Sequence, residues 1–106
     1  MSNARLAWTW PTQRVLGEAL PLAQIAMFEI SMSADGGANF SGLAQVIPVP
    51  GEPQGEHLVA DLAPGTYIFR GIVVDTEDRR SAESEVTSAP ILSAPEPVAD
   101  FAVTIE

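Results

Sequence analysis

Proline and glycine interrupt this chain so often that the segments between them are too short for a set of packed helices. The chain has nine prolines and eight glycines in 106 residues. Runs of this length suit strands, which typically need only about five or six residues. Apolar and polar residues also alternate in several runs, which is the period of a half-buried strand. The sequence therefore predicts an all-β chain.

The most regular alternation lies in residues 25–33, where every second residue from Phe28 to Met32 is apolar. A second alternating run, residues 6–10, places two indoles on one face. Residues 35–39 read Asp-Gly-Gly-Ala-Asn, and these residue types tolerate the positive φ angles of tight turns. We therefore expect the chain to reverse direction there.

The later runs differ in how many of their faces are apolar. Two prolines follow residues 44–47, and because proline lacks a ladder N–H, that segment is predicted to be an edge strand or an irregular crossing. Leu58, Ala60 and Leu62 alternate and are predicted to face inward. The next run is apolar on both faces except at Arg70, which predicts a central or partly covered strand.

The charge balance removes several classes of partner. Fourteen acidic residues against five basic ones give a formal charge of -9, which repels phosphate backbones and anionic headgroups. We therefore expect no nucleic acid and no membrane as a partner. Hydrophobic residues make up 46% of the chain, enough for a packed core, and the absence of cysteine excludes disulfides. The N-terminus shows no signal peptide, so we expect a soluble chain.

Several motifs resemble the fibronectin type III family. Leu-Ala-Trp at residues 6–8, followed by Pro11, resembles the second strand of that domain. Residues 25–30 resemble the third strand, with phenylalanine in place of the usual tyrosine. Residues 62–67 read Leu-Ala-Pro-Gly-Thr-Tyr and resemble the corner that precedes the next strand. The short corner and the Asp-Gly-Gly turn look most like the domains of tailed-phage tail-tip and host-specificity proteins.

The resemblance implies a fibronectin type III-like, immunoglobulin-like antiparallel β-sandwich in residues 1–93. At the corner, the Tyr67 hydroxyl is predicted to bond to backbone in the turn just upstream. Gly71 departs from the family pattern, and the space beside it is predicted to hold Trp8 or Trp10. The predicted core residues are Leu6, Trp8, Trp10, Phe28, Ile30, Leu62, Tyr67, Phe69 and Val73.

A domain of this family has a strand ahead of the tryptophan strand, and residues 1–4 are too few to form it. Residues 94–106 instead contain a proline-bounded connector and a run that reads like that first strand. The tail is either part of a further domain, or it fills the vacant edge in cis, or it completes a neighbouring copy in trans. Its predicted interaction residues are Val98, Phe101, Val103 and Ile105.

Catalytic chemistry has little support. His57 is the single histidine and is predicted to face solvent on a strand, without a cysteine or a nucleophile elbow as partner. Asp75, Glu77 and Asp78 lack the spacing of a calcium loop and are predicted to form a solvated hairpin tip beside two arginines. We therefore expect no enzyme activity, no cofactor, no metal site and no small-molecule substrate.

Recognition is expected at loops clustered at one end of the sandwich, for which residues 12–21, 35–39 and 75–80 are the candidates. Arg79 and Arg80 are the predicted contact residues, because arginine forks pair well with carboxylates. The sequence thus predicts a structural or protein-interaction module of a phage virion, in the tail or on the capsid. Its expected partners are other virion proteins or copies of itself. The alternative is an accessory, carbohydrate-binding or spacer module of a secreted bacterial hydrolase or adhesin.

Overall fold

Six strands in two antiparallel sheets form a β-sandwich. The computed structural model describes residues 2–99 and 102–105. In these residues there is no α-helix, only one turn of 3₁₀ helix at Leu22–Gln24, and no helix that is long and apolar enough to span a membrane. The strands are β1 Ser2–Thr9, β2 Ile25–Ser33, β3 Ser41–Val46, β4 Gln54–Leu62, β5 Ile68–Asp75 and β6 Ser84–Thr87.

The sheets differ in size. The first consists of β1 and β4, and the second has the order β3-β2-β5-β6. The prediction of an all-β sandwich is confirmed, as are the edge position of β3 and the central position of β5. The reversal between β2 and β3 is also confirmed: Ser33 accepts a bond from the Gly37 N–H, and Asp35 accepts two from Asn39. The Ser33 hydroxyl also donates to the Asp35 carboxylate, and this bond, followed by the two from Asn39, lowers the pKa of Asp35 to about 2.

The core lies between the sheets in two groups. One contains Val59, Leu62, Tyr67 and Phe69, and the other contains Trp10, Leu20 and Ile25. Five of the predicted core residues are buried, namely Trp10, Ile30, Leu62, Tyr67 and Phe69. The other four, Leu6, Trp8, Phe28 and Val73, are half-buried.

The predicted inner face of β4 was wrong. Leu58 and Ala60 are exposed, whereas Val59 and Leu62 are buried. The cause is an irregularity in the pairing with β1 near Asp61, whose φ of 60° lies in the left-handed region. The extra residue re-phases the strand, so Leu62 returns to the inner face although its parity differs from that of Val59.

The prediction for Tyr67 is confirmed. Its ring is buried, and its hydroxyl donates to the carbonyl oxygen of Ala63 at 2.7 Å. The Tyr67 N–H donates to the Ser88 hydroxyl, which ties the start of β5 to the segment after β6. The turn before β5 is held further by two backbone bonds between Gly65 and Ile91. The corner is thus a structural joint and not a reactive site.

Candidate protein-interaction surface

A groove lies between β1, at the edge of the two-stranded sheet, and β6, at the edge of the four-stranded sheet. Its volume is about 440 Å³. We call it the open groove. Its apolar lining consists of Leu6, Ala7, Trp8, Phe28, Ile30, Phe69, Gly71 and Val86, and its polar rim consists of Arg5, Arg70, Ser84 and Glu85.

Core side chains are accessible in the open groove because nothing in the described residues covers it. Val86 lies opposite Phe69 in the ladder, so both side chains belong to the inner face of their sheet. Phe69 is 4% exposed, yet Val86 is 57% exposed. On the facing strand, Leu6 and Trp8 are only half-buried. The sandwich therefore has inward-facing apolar surface that still contacts solvent.

The edge of β1 that borders the open groove has unused backbone groups. The Trp10 N–H donates to the Pro53 carbonyl, which sets the phase of the β1–β4 ladder. Hydrogen-bonded pairs alternate along an antiparallel ladder, so every second residue of β1 points its N–H and C=O away from β4. Those residues are Arg5, Ala7 and Thr9. They have no strand partner in residues 2–99 and 102–105.

Three aromatic rings pack behind the groove. Trp8 and Phe28 have ring centroids 4.7 Å apart, and Trp8 and Trp10 meet edge to face at 5.6 Å. Two glycines make room for them, because a Cβ on Gly55 would overlap the Trp8 ring and one on Gly71 would overlap the Phe28 ring. The prediction that a tryptophan fills the space beside Gly71 was therefore wrong. Phe28 fills it from the neighbouring strand.

Arg79 and Arg80, the predicted contact residues, are already ion-paired within the molecule. Arg79 pairs with Asp75 and Glu77, and Arg80 pairs with Glu29 and Asp78. The other three basic residues of the chain are also paired: Arg5 with Glu56, Arg14 with Asp75, and Arg70 with Glu83 and Glu85. Carboxylates outnumber arginines, so the uncompensated surface charge is negative.

The candidate loops do not share one end of the sandwich, which corrects the prediction. Ile25 pairs with Asp75 and Ser33 pairs with Ile68. The turn at residues 35–39 therefore lies at the end opposite the β5–β6 loop. Residues 12–21, in contrast, do lie beside that loop, because Arg14 bonds to the Asp75 carboxylate at 2.8 Å.

Asp75 organises that end. It is 5% exposed and accepts backbone bonds from Arg79 and Glu77 as well as side-chain bonds from Arg14 and Arg79. The bond from the Arg79 backbone is the largest cause that holds its pKa well below the ordinary value; those from Arg14, the Arg79 side chain and the Glu77 backbone add to it. The prediction of a solvated hairpin tip was wrong for this residue, although it holds for its exposed neighbours.

The sequence analysis missed two exposed apolar residues. Val15 and Leu16 are 98% and 89% exposed at the tip of a small hairpin, which is closed by bonds between Arg14 and Glu18 and between Gly17 and Arg14. The sequence does contain a signal for this tip: Val15 and Leu16 stand directly before Gly17, with polar residues on both sides. The hairpin is held by Arg14, so it presents these side chains in a fixed position.

The tail forms no strand in its described part. Residues 88–99 and 102–105 contain no strand, and their one β-bridge pairs Ile91 with Gly65. Of the predicted interaction residues, Val98, Val103 and Ile105 are 69%, 82% and 89% exposed. Phe101 lies outside the described residues. Val98, Val103 and Ile105 are thus exposed to solvent, as is the open groove.

The described residues contain no group of three or more side chains suited to a metal ion. His57 lies opposite Leu6 in the ladder and is half-buried, so the prediction that it faces solvent was wrong. No protein-family model matches this chain, and no curated protein sequence matches it.

Proposed function

We propose that this protein is a non-catalytic structural and interaction module that takes up an extended segment along β1. The observation that carries the proposal is the open groove. Unused N–H and C=O groups on β1 supply the ladder for an added strand, and the half-exposed Leu6 and Trp8 supply apolar contact. Strand addition of this kind combines main-chain hydrogen bonds with side-chain pockets.

We propose further that the module is fibronectin type III-like and belongs to a phage virion, in the tail or on the capsid. The antiparallel two-sheet architecture and the Tyr67 corner support the first part. The resemblance of residues 62–67 and of the Asp-Gly-Gly turn supports the second. In that setting the protein would serve assembly or contact with a host surface, with other virion proteins or copies of itself as partners.

The aromatic residues favour this role over carbohydrate binding. Trp10, Tyr67 and Phe69 are buried, and Trp8 and Phe28 pack against each other behind the open groove. Arg70 covers the ring of Phe40 at 3.9 Å. A sugar-binding face needs exposed rings on a flat surface, and the described residues offer none.

The test is a titration with a labelled peptide of residues 97–106 against the full chain carrying Val103→Ser and Ile105→Ser, whose own tail is weakened. We expect saturable binding that Ala7→Pro removes, because proline deletes an outward N–H without breaking a bond to β4. The matched control, Ala7→Thr, keeps the N–H and should bind normally. Equal binding by the Pro and Thr variants, or no binding at millimolar peptide, would overturn the proposal.

A further inference from the structure

We propose that the open groove is occupied by the tail of a second copy of this chain, given from one copy to the next in a head-to-tail order. This inference rests on the proposed function and names its partner. The tail is the right length: Val98 to Ile105 has eight positions, and β1 has eight residues. Its apolar residues are exposed where the structure describes them.

The tail sequence alternates as an inserted strand requires. One parity is all apolar, whereas the other is mixed and places the predicted interaction residue Val98 on the opposite face. The first consists of Ala99, Phe101, Val103 and Ile105, and the second of Val98, Asp100, Ala102, Thr104 and Glu106. One face of the added strand would therefore cover Leu6, Trp8 and Val86, and the other would face solvent. The described residues of the chain contain no other exposed segment with this pattern.

The position of the tail disfavours return to its own groove. Ile91 is bonded to Gly65 and packs in the core group that includes Ala4 and Leu6, so the tail departs from the end of the sandwich where β1 begins. All strand pairs in the described residues are antiparallel, and a strand added to β1 in the same way would start at the other end of β1. That distance is about 23 Å for eight residues. The seven Cα–Cα steps from Ile91 to Val98 reach it only when almost fully extended.

The overall dimensions agree with a projecting tail. The radius of gyration is 20.2 Å and the longest extent is 80 Å. A compact domain of about 100 residues has a radius of gyration of about 13 Å. The chain therefore extends well beyond a compact sandwich, as a projecting tail requires.

The arginines on the rim of the groove are already ion-paired, Arg5 with Glu56 and Arg70 with Glu83 and Glu85, so main-chain bonds and apolar contact would hold the tail. The interface would join different surfaces on the two copies, and such heterologous contacts produce rings or open chains instead of being limited to dimers.

Two full-length variants separate the roles of the two copies. Val103→Ser with Ile105→Ser weakens the donor without touching the sandwich, and Ala7→Pro blocks the acceptor. In sedimentation experiments we expect the unaltered chain to show concentration-dependent oligomers. The association constant of each variant should fall by roughly tenfold or more. A tenfold fall corresponds to a loss of about 1.4 kcal/mol of binding free energy. Ala7→Thr should associate as the unaltered chain does.

Mixing the variants is the decisive step. The Ala7→Pro chain still has a tail, and the serine variant still has an open groove, so a mixture should form one-to-one pairs that extend no further. A mixture that stays monomeric overturns the inference, as does an unaltered chain that is monomeric at every concentration. If the labelled peptide still binds in the Ala7-dependent manner, only the second-copy partner fails and the proposed function stands.

Discussion

The two sides of this sandwich have the same kinds of residue but very different exposure. On the side where β4 faces β3, Val59 and Leu62 are 7% and 6% exposed, and the connection from β3 to β4 runs close to Trp10. On the side where β1 faces β6, Leu6 is half-buried and Val86 is 57% exposed. We refer to these as the closed side and the open side. The difference follows the course of the connecting chain, which passes the closed side and leaves the open side without a cover in the described residues.

The largest effect expected is on the closed side. Leu62→Ala should cost about 2–5 kcal/mol of unfolding free energy, because it leaves a cavity among buried neighbours. Leu6→Ala on the open side should cost roughly 1 kcal/mol when the chain is monomeric, because that side chain is not fully buried and part of it already contacts water. Urea unfolding at low protein concentration measures both. Equal losses at the two leucines would show that the sides do not differ.

Gly71 lies against the ring of Phe28, which lines the open groove, so a substitution at Gly71 tests whether that ring can move. Gly71→Ala should cost about 1–3 kcal/mol, because the new methyl overlaps the Phe28 ring. Gly42→Ala is the matched control: that glycine also lies in a strand, and a Cβ there meets nothing within 4 Å. Thermal unfolding of the two variants gives the comparison. A Gly71→Ala chain as stable as the control would mean that Phe28 moves freely into the groove.

The corner gives an intermediate effect that should not depend on the groove. Tyr67→Phe removes the bond to the Ala63 carbonyl and should cost about 1 kcal/mol. For a domain of this size, that lowers Tm by roughly 4–8 °C. The same loss is expected with and without an excess of the tail peptide. A loss that the peptide abolishes would mean that the corner and the open side are coupled, and would weaken the division between the two sides.

The smallest effect is expected at a loop that belongs to neither side. The lowered pKa of Asp35 means that its carboxylate is stabilised in the folded state. Its contribution is present above the unfolded-state pKa of about 3.9 and is lost as pH falls towards 2. Asp35→Asn should therefore reduce stability slightly at pH 7, and the difference from the unaltered chain should disappear near pH 2. Urea midpoints at the two pH values measure this, and a difference that persists at pH 2 would contradict the assignment.

The sequence was informative wherever local chemistry decides the structure. The alternation of apolar and polar residues predicted strands where β1, β2 and β5 lie. The Asp-Gly-Gly turn and the Tyr67 corner also formed as expected. It failed where the outcome depends on distant residues. The phase of β4 changes at Asp61, the ring beside Gly71 comes from another strand, and the burial of Asp75 depends on Arg14 from a remote loop.

The candidate surface was predicted only in part. The vacant edge followed from the resemblance to a family whose first strand has no counterpart ahead of residue 6, and the apolar tail followed from the strand-like run at its end. The choice of Arg79 and Arg80 gave too little weight to the carboxylates of their own loop, Asp75, Glu77 and Asp78. Glu29, which also pairs with Arg80, is distant in the chain and leaves no local signal.

The strand pairing also has a kinetic consequence. In the β1–β4 ladder Trp8 pairs with Gly55, whereas in the β2–β3 hairpin Ile30 pairs with Ala44, a much shorter separation along the chain. Contacts between distant residues form later, because a long loop must close first. We therefore expect the two-stranded sheet to assemble after the β2–β3 hairpin during folding. Pulsed hydrogen exchange should show β2 and β3 amides protected before those of β1, and simultaneous protection would contradict this order. A newly made chain would then keep the inner face of its larger sheet open to solvent until β1 and β4 pair.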